Sequence, residues 1–314
     1  MFFSKRILGI DVGTYSVRLV EISGRGEGTS LENYGEMVWP KQEKKPGQPE
    51  IASPSNATIA NAIRAIAKEA GIKTKTVVFS IPDFSTFSTS FDLPPMPQKE
   101  IPGAIHYNAS QYITLAAEEV TLDWKILPGA GADQSSKVFL VAVPNQVIED
   151  YKSIAKLAGL ELHAVEAEAM ALARVFAKQN SGPICFIDVG MQSSTVNLAE
   201  KGFLKKSFSV SVTSAMLESE IMQSAAEPLV SLAQQAISEF TQQEHKEIGL
   251  VYLTGGAARA KGLQEYLSSV LKKPVTVPNS FAGLSYHPAL SATIQEMAPR
   301  FSVAVGVALG GFST

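Results

Sequence analysis

Asp11-Val12-Gly13-Thr14-Tyr15-Ser16 follows the apolar run Ile7 to Ile10. The pattern returns as Asp188-Val189-Gly190-Met191-Gln192-Ser193 after the apolar run Ile184 to Ile187. Each copy leads into a second strand pattern, Ser16 to Ile22 and Ser194 to Ala199, in which polar and apolar residues alternate. Each then turns back at glycine. Gly24, Gly26 and Gly28 form a flexible hairpin connection toward a strand at Leu31 to Trp39, and Lys201-Gly202 a tight turn toward one at Phe203 to Val212. One six-residue match carries little. The same match in the same strand–turn–strand setting, once in each half of the chain, argues for two duplicated lobes.

The residue types fit one chemistry. Glycine lets a turn tighten, and such a turn exposes successive backbone N–H groups that can hold phosphate oxygens. Thr14, Ser16, Ser193, Ser194 and Thr195 add hydroxyls. Asp11 and Asp188 suit a Mg²⁺ that keeps its waters and takes one or two carboxylates. Singly, each stretch reads better as an ordinary hairpin with Asp and Gly as turn formers. As a pair they point to a triphosphate gripped between two lobes.

The chain has 314 residues, enough for about two domains. Lys plus Arg is 27 against 30 for Asp plus Glu, too balanced for an electrostatic nucleic-acid binder. The single cysteine, Cys185, lies in a strand pattern and reads as a small buried apolar residue, so an internal disulfide and a Cys-rich zinc site are excluded. His106, His163, His245 and His287 have no ligand spacing. The N-terminus shows no signal-peptide pattern, and the apolar tail from Phe301 to Thr314 is too short for a bilayer. A cytoplasmic protein is expected.

Strand and helix patterns alternate along the chain, which gives an α/β class. Helices are expected at 59–70, 100–117, 145–158, 167–178, 227–242, 262–271 and 297–309. Lys41 to Pro54 reads as an exposed loop, with Lys41, Lys44 and Lys45 a solvated face. From Pro82 the texture changes to Phe alternating with Ser and Thr. The following strand–helix–strand–strand pattern reads as a small inserted module. Phe84, Phe87 and Phe91 read as its core or as a groove wall. A third motif, Val251-Tyr252-Leu253-Thr254-Gly255-Gly256-Ala257, places a Gly-Gly turn after a strand, where a flat ring can approach the backbone.

These three strand–turn motifs, in this order, resemble the actin/Hsp70/sugar-kinase superfamily, whose lobes are ribonuclease H-like. Within it the chain is similar to the FtsA/PilM family. The likeness runs through ILGIDVGTYSVRLVEI, FSIPDFSTFSTSFDLPPMPQKEIPGAIHYNASQYI, VTLDWKIL, FLVAVPNQVIEDYKSIAKLAGLELHAVEAEAMALAR, FIDVGMQSSTVNLAEKG, VYLTGGAARAKGLQEYL and FSVAVGVALG, nearly the whole chain. The resemblance implies a first lobe at 1–82 and 144–180, an inserted SHS2-like module at 83–143, a second lobe at 181–295 and a closing helix at 296–314 that returns to the first lobe. It also implies ATP with Mg between the lobes. Asp11, Gly13, Thr14, Tyr15 and Ser16 would form the first phosphate loop, and Asp188, Gly190, Ser193, Ser194 and Thr195 the second. Gly255, Gly256 and Ala257 would form the adenosine loop, with Asp11 and Asp188 on Mg through water. No catalytic residue is assigned; Glu168, on the helix joining the lobes, is the candidate, and a very slow or absent ATPase is expected.

The resemblance further implies a scaffold of type IV pilus assembly at the inner membrane. It would dock the N-terminal tail of PilN between the first lobe and the module, meet PilO through PilN, and communicate with the pilus motor ATPases. Two departures stand out. Residues 213–226 are too few for the helical subdomain that usually follows the second phosphate hairpin and walls the adenine pocket. Ser211-Val212-Thr213-Ser214 stands where relatives carry a Gly-Gly pair. Alternative readings are an active ATPase or kinase of the superfamily, an FtsA-like division protein, and the cytoplasmic part of a GspL-type secretion component. The apolar tail lacks the basic amphipathic face that the division protein uses on membranes.

Overall fold

The computed structural model describes residues 4–25, 28–40, 54–113, 115–127, 135–180 and 182–312. The expected loop at Lys41 to Pro54 lies outside these residues except for its last position, as does Gly26 of the hairpin connection.

Strands β1 (Lys5–Val12), β2 (Ser16–Arg25) and β3 (Gly28–Val38) form an antiparallel meander. Strands β4 (Thr76–Ile81) and β8 (Glu161–Ala167) add to its β1 side in parallel. Strands β9 (Ile184–Val189), β10 (Ser194–Glu200) and β11 (Phe203–Val210) form a second meander, with β12 (Val251–Gly255) and β13 (Val275–Thr276) parallel beside β9. Counted within each sheet, both follow the order 3-2-1-4-5. The duplication inferred from six residues therefore extends to the whole sheet topology. One further strand, β14 (Leu284–Ser285), crosses over and pairs with β3 of the first sheet.

Helices fill three layers around these sheets. On the outer face of the first sheet, α1 (Asn56–Glu69) and α3 (Asn145–Ala158) bury Ile59, Ile63, Ile66, Tyr151 and Ile154 against Leu8, Ile10 and Phe79. The spacing of the three isoleucines is the 3.6-residue period of one helix face. Ser55 caps α1 by accepting the N–H of Thr58 at 3.2 Å. On the outer face of the second sheet lie α6 (Met222–Glu244) and α7 (Leu263–Leu271), whose Leu229, Ala233, Phe240 and Leu267 pack on Ile187, Val196 and Leu253.

Between the sheets lie α4 (Glu168–Ala177) and α8 (Ser291–Gly310), in one core with Ile7, Ile22, Phe186 and Tyr252. Their contact is close: a Cβ on Gly306 would strike the backbone carbonyl of Ala171. Small residues let two helices and two sheets share this middle layer. No helix among the described residues is long and apolar enough to cross a membrane.

The inserted segment forms its own three-stranded sheet, β5 (Phe87–Leu93), β7 (Ser136–Pro144) and β6 (Val120–Ile126), in spatial order 5-7-6. Helix α2 (Ile101–Ala109) covers it through Ile101, Ile105 and Ala109, which meet Phe91, Leu93, Val138 and Leu140. The phenylalanine stripe splits: Phe91 is core, while Phe84 and Phe87 are exposed.

Three helix boundaries differ from expectation. Helix α2 stops at Ala109 rather than running to 117. Asn108 donates its side-chain amide to the Ala104 carbonyl and Ser110 its hydroxyl to the Tyr107 carbonyl, bonds that compete with continuation. Helices α6 and α8 start earlier than expected because Pro228 and Pro299 lie inside them rather than near their starts. Pro299 cannot donate to Gln295, and Arg259 takes that carbonyl at 2.6 Å instead. Between β11 and β12 the chain forms only α5 (Ser214–Leu217) and α6. No additional subdomain follows the second hairpin.

Candidate functional site

The two sheets bring their C-terminal strand ends to one cleft of about 390 Å³. Its wall includes Asp11, Gly13, Thr14 and Tyr15 from the first hairpin, and Asp188, Gly190, Ser193 and Thr195 from the second. Gly255, Gly256 and Glu168 also line it. Thus most of the residues singled out from sequence converge on one cleft. Three do not line it. Ser16 is buried and donates to Glu36 at 3.0 Å, Ser194 donates to the Val212 carbonyl at 2.7 Å, and Ala257 is buried in the second-lobe core.

The repeated hexapeptide makes the same turn twice. Gly13 N–H donates to the Ser16 carbonyl at 3.0 Å, and Gly190 N–H to the Ser193 carbonyl at 3.0 Å. The first turn is braced by Trp39, whose indole donates to the Gly13 carbonyl at 2.9 Å. The second is braced by the Ser214 N–H on the Gly190 carbonyl at 2.8 Å. Among the described residues no protein acceptor takes the N–H groups of Thr14, Tyr15, Met191 or Gln192, all of which line the cleft. These are the open donors an anion needs.

The glycine pair divides its work. Gly255 has φ +89°, and a Cβ there would come within 2.5 Å of Asp188 Oδ1, so this glycine serves the backbone itself. Gly256 donates its N–H to the Val189 carbonyl at 3.0 Å. A Cβ on Gly256 would have nothing nearer than 3.9 Å, which leaves open space on the cleft wall.

The carboxylates sit in contrasting settings, and the hairpin register explains why. Asp11 stands opposite Arg18, and Arg18 opposite Glu36, across three adjacent strands. Arg18 donates to Asp11 Oδ2 at 3.0 Å and to Glu36 Oε1 at 2.8 Å. Ser80 on β4 donates to Asp11 Oδ1 at 2.9 Å. Both Asp11 oxygens are therefore engaged. In the second lobe the same register places Thr195 opposite Asp188 and Ser209 beyond it. No hydrogen bond reaches the Asp188 carboxylate among the described residues. Burial first, then the charges of Asp83 and Asp11, push Asp188 up to about 7, with Arg18 pulling the other way. Burial, followed by Asp11, Asp83 and Asp188, raises Glu168 well above the ordinary carboxylate range.

Sequence reasoning missed Asp83, Arg18, Glu36 and Arg300, all of which line the cleft. Asp83 Oδ1 accepts the Ala169 N–H at 3.2 Å at the start of α4, a favourable end for a carboxylate. Its Oδ2 is buried without a partner, and burial raises Asp83 to about 6. The Arg18 pairings could have been counted from the turn, since Val12 facing Val17 puts Asp11 against Arg18.

Oxygen donors, an excess of acids and an orphaned carboxylate oxygen fit a hard divalent cation. No cluster of three or more His, Cys, Asp or Glu among the described residues could hold a metal directly. The donor set therefore suits a cation that keeps most of its waters.

These shifts make the stability of the fold pH-dependent. Asp188 and Asp83 hold their protons more tightly folded than unfolded. The native chain thus carries extra protons between the ordinary value of 3.8 and about 7, and stability falls as pH rises through that window. Asp188→Asn is expected to melt like the parent near pH 4 and to be more stable by a few kcal/mol, to order of magnitude, near pH 8. Thermal melts of both proteins at the two pH values check this.

Comparisons place this geometry among known proteins. The profile of the family described as "Type IV pilus assembly protein PilM" matches residues 9–216 and 195–312. A solved PilM–PilN type IV pilus biogenesis complex is similar at 21% identity and TM-score 0.81, covering 97% of this chain and 98% of that one. The ethanolamine utilization protein EutJ from Carboxydothermus hydrogenoformans shares 15% identity at TM-score 0.53, covering 98% and 90%. The cytoplasmic domain of EpsL, an inner-membrane component of the Vibrio cholerae type II secretion system, shares 13% at TM-score 0.51, covering 98% and 95%. At these identities the likeness is one of fold.

Proposed function

Because the chain belongs to the type IV pilus assembly protein PilM family, we propose that it is a nucleotide-binding scaffold docking the N-terminal tail of a PilN-like membrane protein. The observation that carries the nucleotide half is the pair of identical turns facing one cleft, with four open N–H donors. Thr14, Tyr15, Met191 and Gln192 would cradle the phosphates through their backbone. Asp188 would hold a hydrated Mg²⁺, with Glu168 and Asp83 beside it. Asp11, engaged by Ser80 and Arg18, would orient the arginine rather than meet the ion. A bound Mg²⁺ would offset the phosphate charge that these acids otherwise repel. Gly256 would leave room for the base.

Hydrolysis would be slow or absent. A general base must be deprotonated at working pH, and burial together with the charges of Asp11, Asp83 and Asp188 disfavours the ionised form of Glu168. The scaffold reading follows from this and from the inserted module. That module exposes Tyr107, Tyr112 and Leu115, apolar surface suited to an extended peptide. Docking of a tail between this module and the first lobe would hold the protein at the inner membrane beside PilO and within reach of the motor ATPases.

A fluorescently labelled peptide from the N-terminus of the PilN-like protein of the same organism tests the docking half. Saturable anisotropy with a dissociation constant of roughly 10 μM or tighter is the expected result. A flat titration to about 100 μM would remove the docking half of the reading.

A further inference from the structure

A second cavity, of about 190 Å³, lies where the module, α4 and the second lobe meet. Phe87 and Ser88 of β5, Met170 of α4, and Leu204 and Ser207 of β11 are in its wall. Around it the module grips the second lobe in three ways. Ser90 on β5 donates its hydroxyl to the Lys205 carbonyl on β11 at 3.2 Å. Lys137 on β7 pairs with Glu244, the last residue of α6, at 2.6 Å. Lys125 on β6 stands 4.7 Å from the centroid of the Phe203 ring. None of these contacts belongs to either sheet's own ladder.

The other end of the module is fixed at the cleft. The chain leaves β4 through Pro82 and Asp83, both cleft-lining. Asp83 accepts the Ala169 N–H at the start of α4. One element is thus tied to the cleft wall of the first lobe at its root and to β11 and α6 of the second lobe at its far edge. Asp83 is common to the walls of both cavities.

We propose that the inserted module is a strap between the lobes, and that Lys137 with Glu244, Ser90 and Lys125 set how fast the cleft opens to release its nucleotide. This rests on the nucleotide reading of the cleft and adds its regulation. Opening a two-lobed cleft is a hinge motion of a few elements. Here α4 and α8 join the lobes in the middle layer, so separation must also break the strap's contacts. A partly exposed ion pair or a cation–π contact contributes little alone, so their combined removal gives the clearest effect.

Stopped-flow release of a fluorescent ATP analogue with Mg²⁺ from the full chain tests the strap. The triple variant Ser90→Ala, Lys125→Ala, Lys137→Ala is expected to release roughly tenfold faster than the parent. Lys137→Glu is expected to release about threefold faster, and adding Glu244→Lys to bring the rate back to near the parent value. Release by the triple variant at the parent rate overturns the strap, as does equal speed in the reversed and charge-swapped forms. Hydrogen exchange of the β11 amides without nucleotide supplies a second readout, expected to quicken in the triple variant. Unchanged exchange there overturns the strap even if release changes. A parent that gives no fluorescence signal at all overturns the nucleotide reading and the strap with it, a pattern distinct from the others.

Discussion

Gly306→Leu destabilises the fold by ~4 kcal/mol or more, the exceptional end of the range for point substitutions. Position 306 faces α4 in the middle layer, and a Cβ there would meet the Ala171 carbonyl oxygen, with its carbonyl carbon at 2.6 Å and its Cβ at 2.8 Å. The clash is with backbone, which cannot rotate away as a side chain could. Relief would require α4 and α8 to move apart, and both are packed on two sheets through Phe176, Phe186, Phe301 and Tyr252. A leucine there would open gaps elsewhere in that layer. The matched control is Gly249→Ala, where a Cβ meets nothing within 4 Å and no left-handed backbone is required. That variant should stay within about 1 kcal/mol of the parent. Denaturant unfolding of the three proteins provides the comparison, and a Gly306→Leu chain as stable as the parent would contradict the close helix crossing.

Arg18→Met is expected to cost ~3 kcal/mol, because removing one partner of a buried ion pair leaves charge uncompensated. The Arg18 side chain is only 12% exposed, with Asp11 at 5% and Glu36 at 17%. Partial compensation remains: Ser80 still serves Asp11, and Ser16 and Arg300 still reach Glu36. This places the expected loss at the lower end of the range for broken buried pairs. Removing the acid together with the cation should recover much of it, so Arg18→Met with Glu36→Gln is predicted to be more stable than Arg18→Met alone. Equilibrium unfolding near pH 7 measures both. Additive losses in the double variant would show that Arg18 acts through packing rather than charge.

Much of the fold was legible because its decisive signals are local and repeated. Asp-Val-Gly at the end of an apolar strand appears twice, and each copy builds the turn that its residues demand. The strand order within each sheet was not read from the sequence; the structure shows that both lobes share it. What escaped notice depends on distance. Asp83 has no counterpart in the second half, and it gains its place by meeting Ala169, far along the chain. Counting across the hairpin puts Arg18 between Asp11 and Glu36, a pairing that the alternation of polar and apolar residues does not reveal. Ser16 and Ser194 match a phosphate-loop pattern by type, yet their hydroxyls serve the protein's own acceptors. The helices α6 and α8 begin before the expected 227 and 297 and carry Pro228 and Pro299 inside them; in α8 the Gln295 carbonyl that Pro299 cannot serve is taken by Arg259, on another element. The brief β14 pairing with β3 joins segments too far apart for any local pattern to announce it.

On the proposed reading the cleft between the duplicated lobes takes Mg–ATP. Calorimetric titration of the full chain with Mg–ATP, run beside Gly256→Leu, tests it directly. One-site saturable binding in the parent, with a dissociation constant of about 100 μM or tighter, is the expected result. Gly256→Leu is expected to lose affinity tenfold or more, to order of magnitude, at an unchanged melting temperature, since that side chain would occupy open cleft space rather than protein. No saturable heat up to about 1 mM in the parent, or equal binding by both proteins, would contradict that reading.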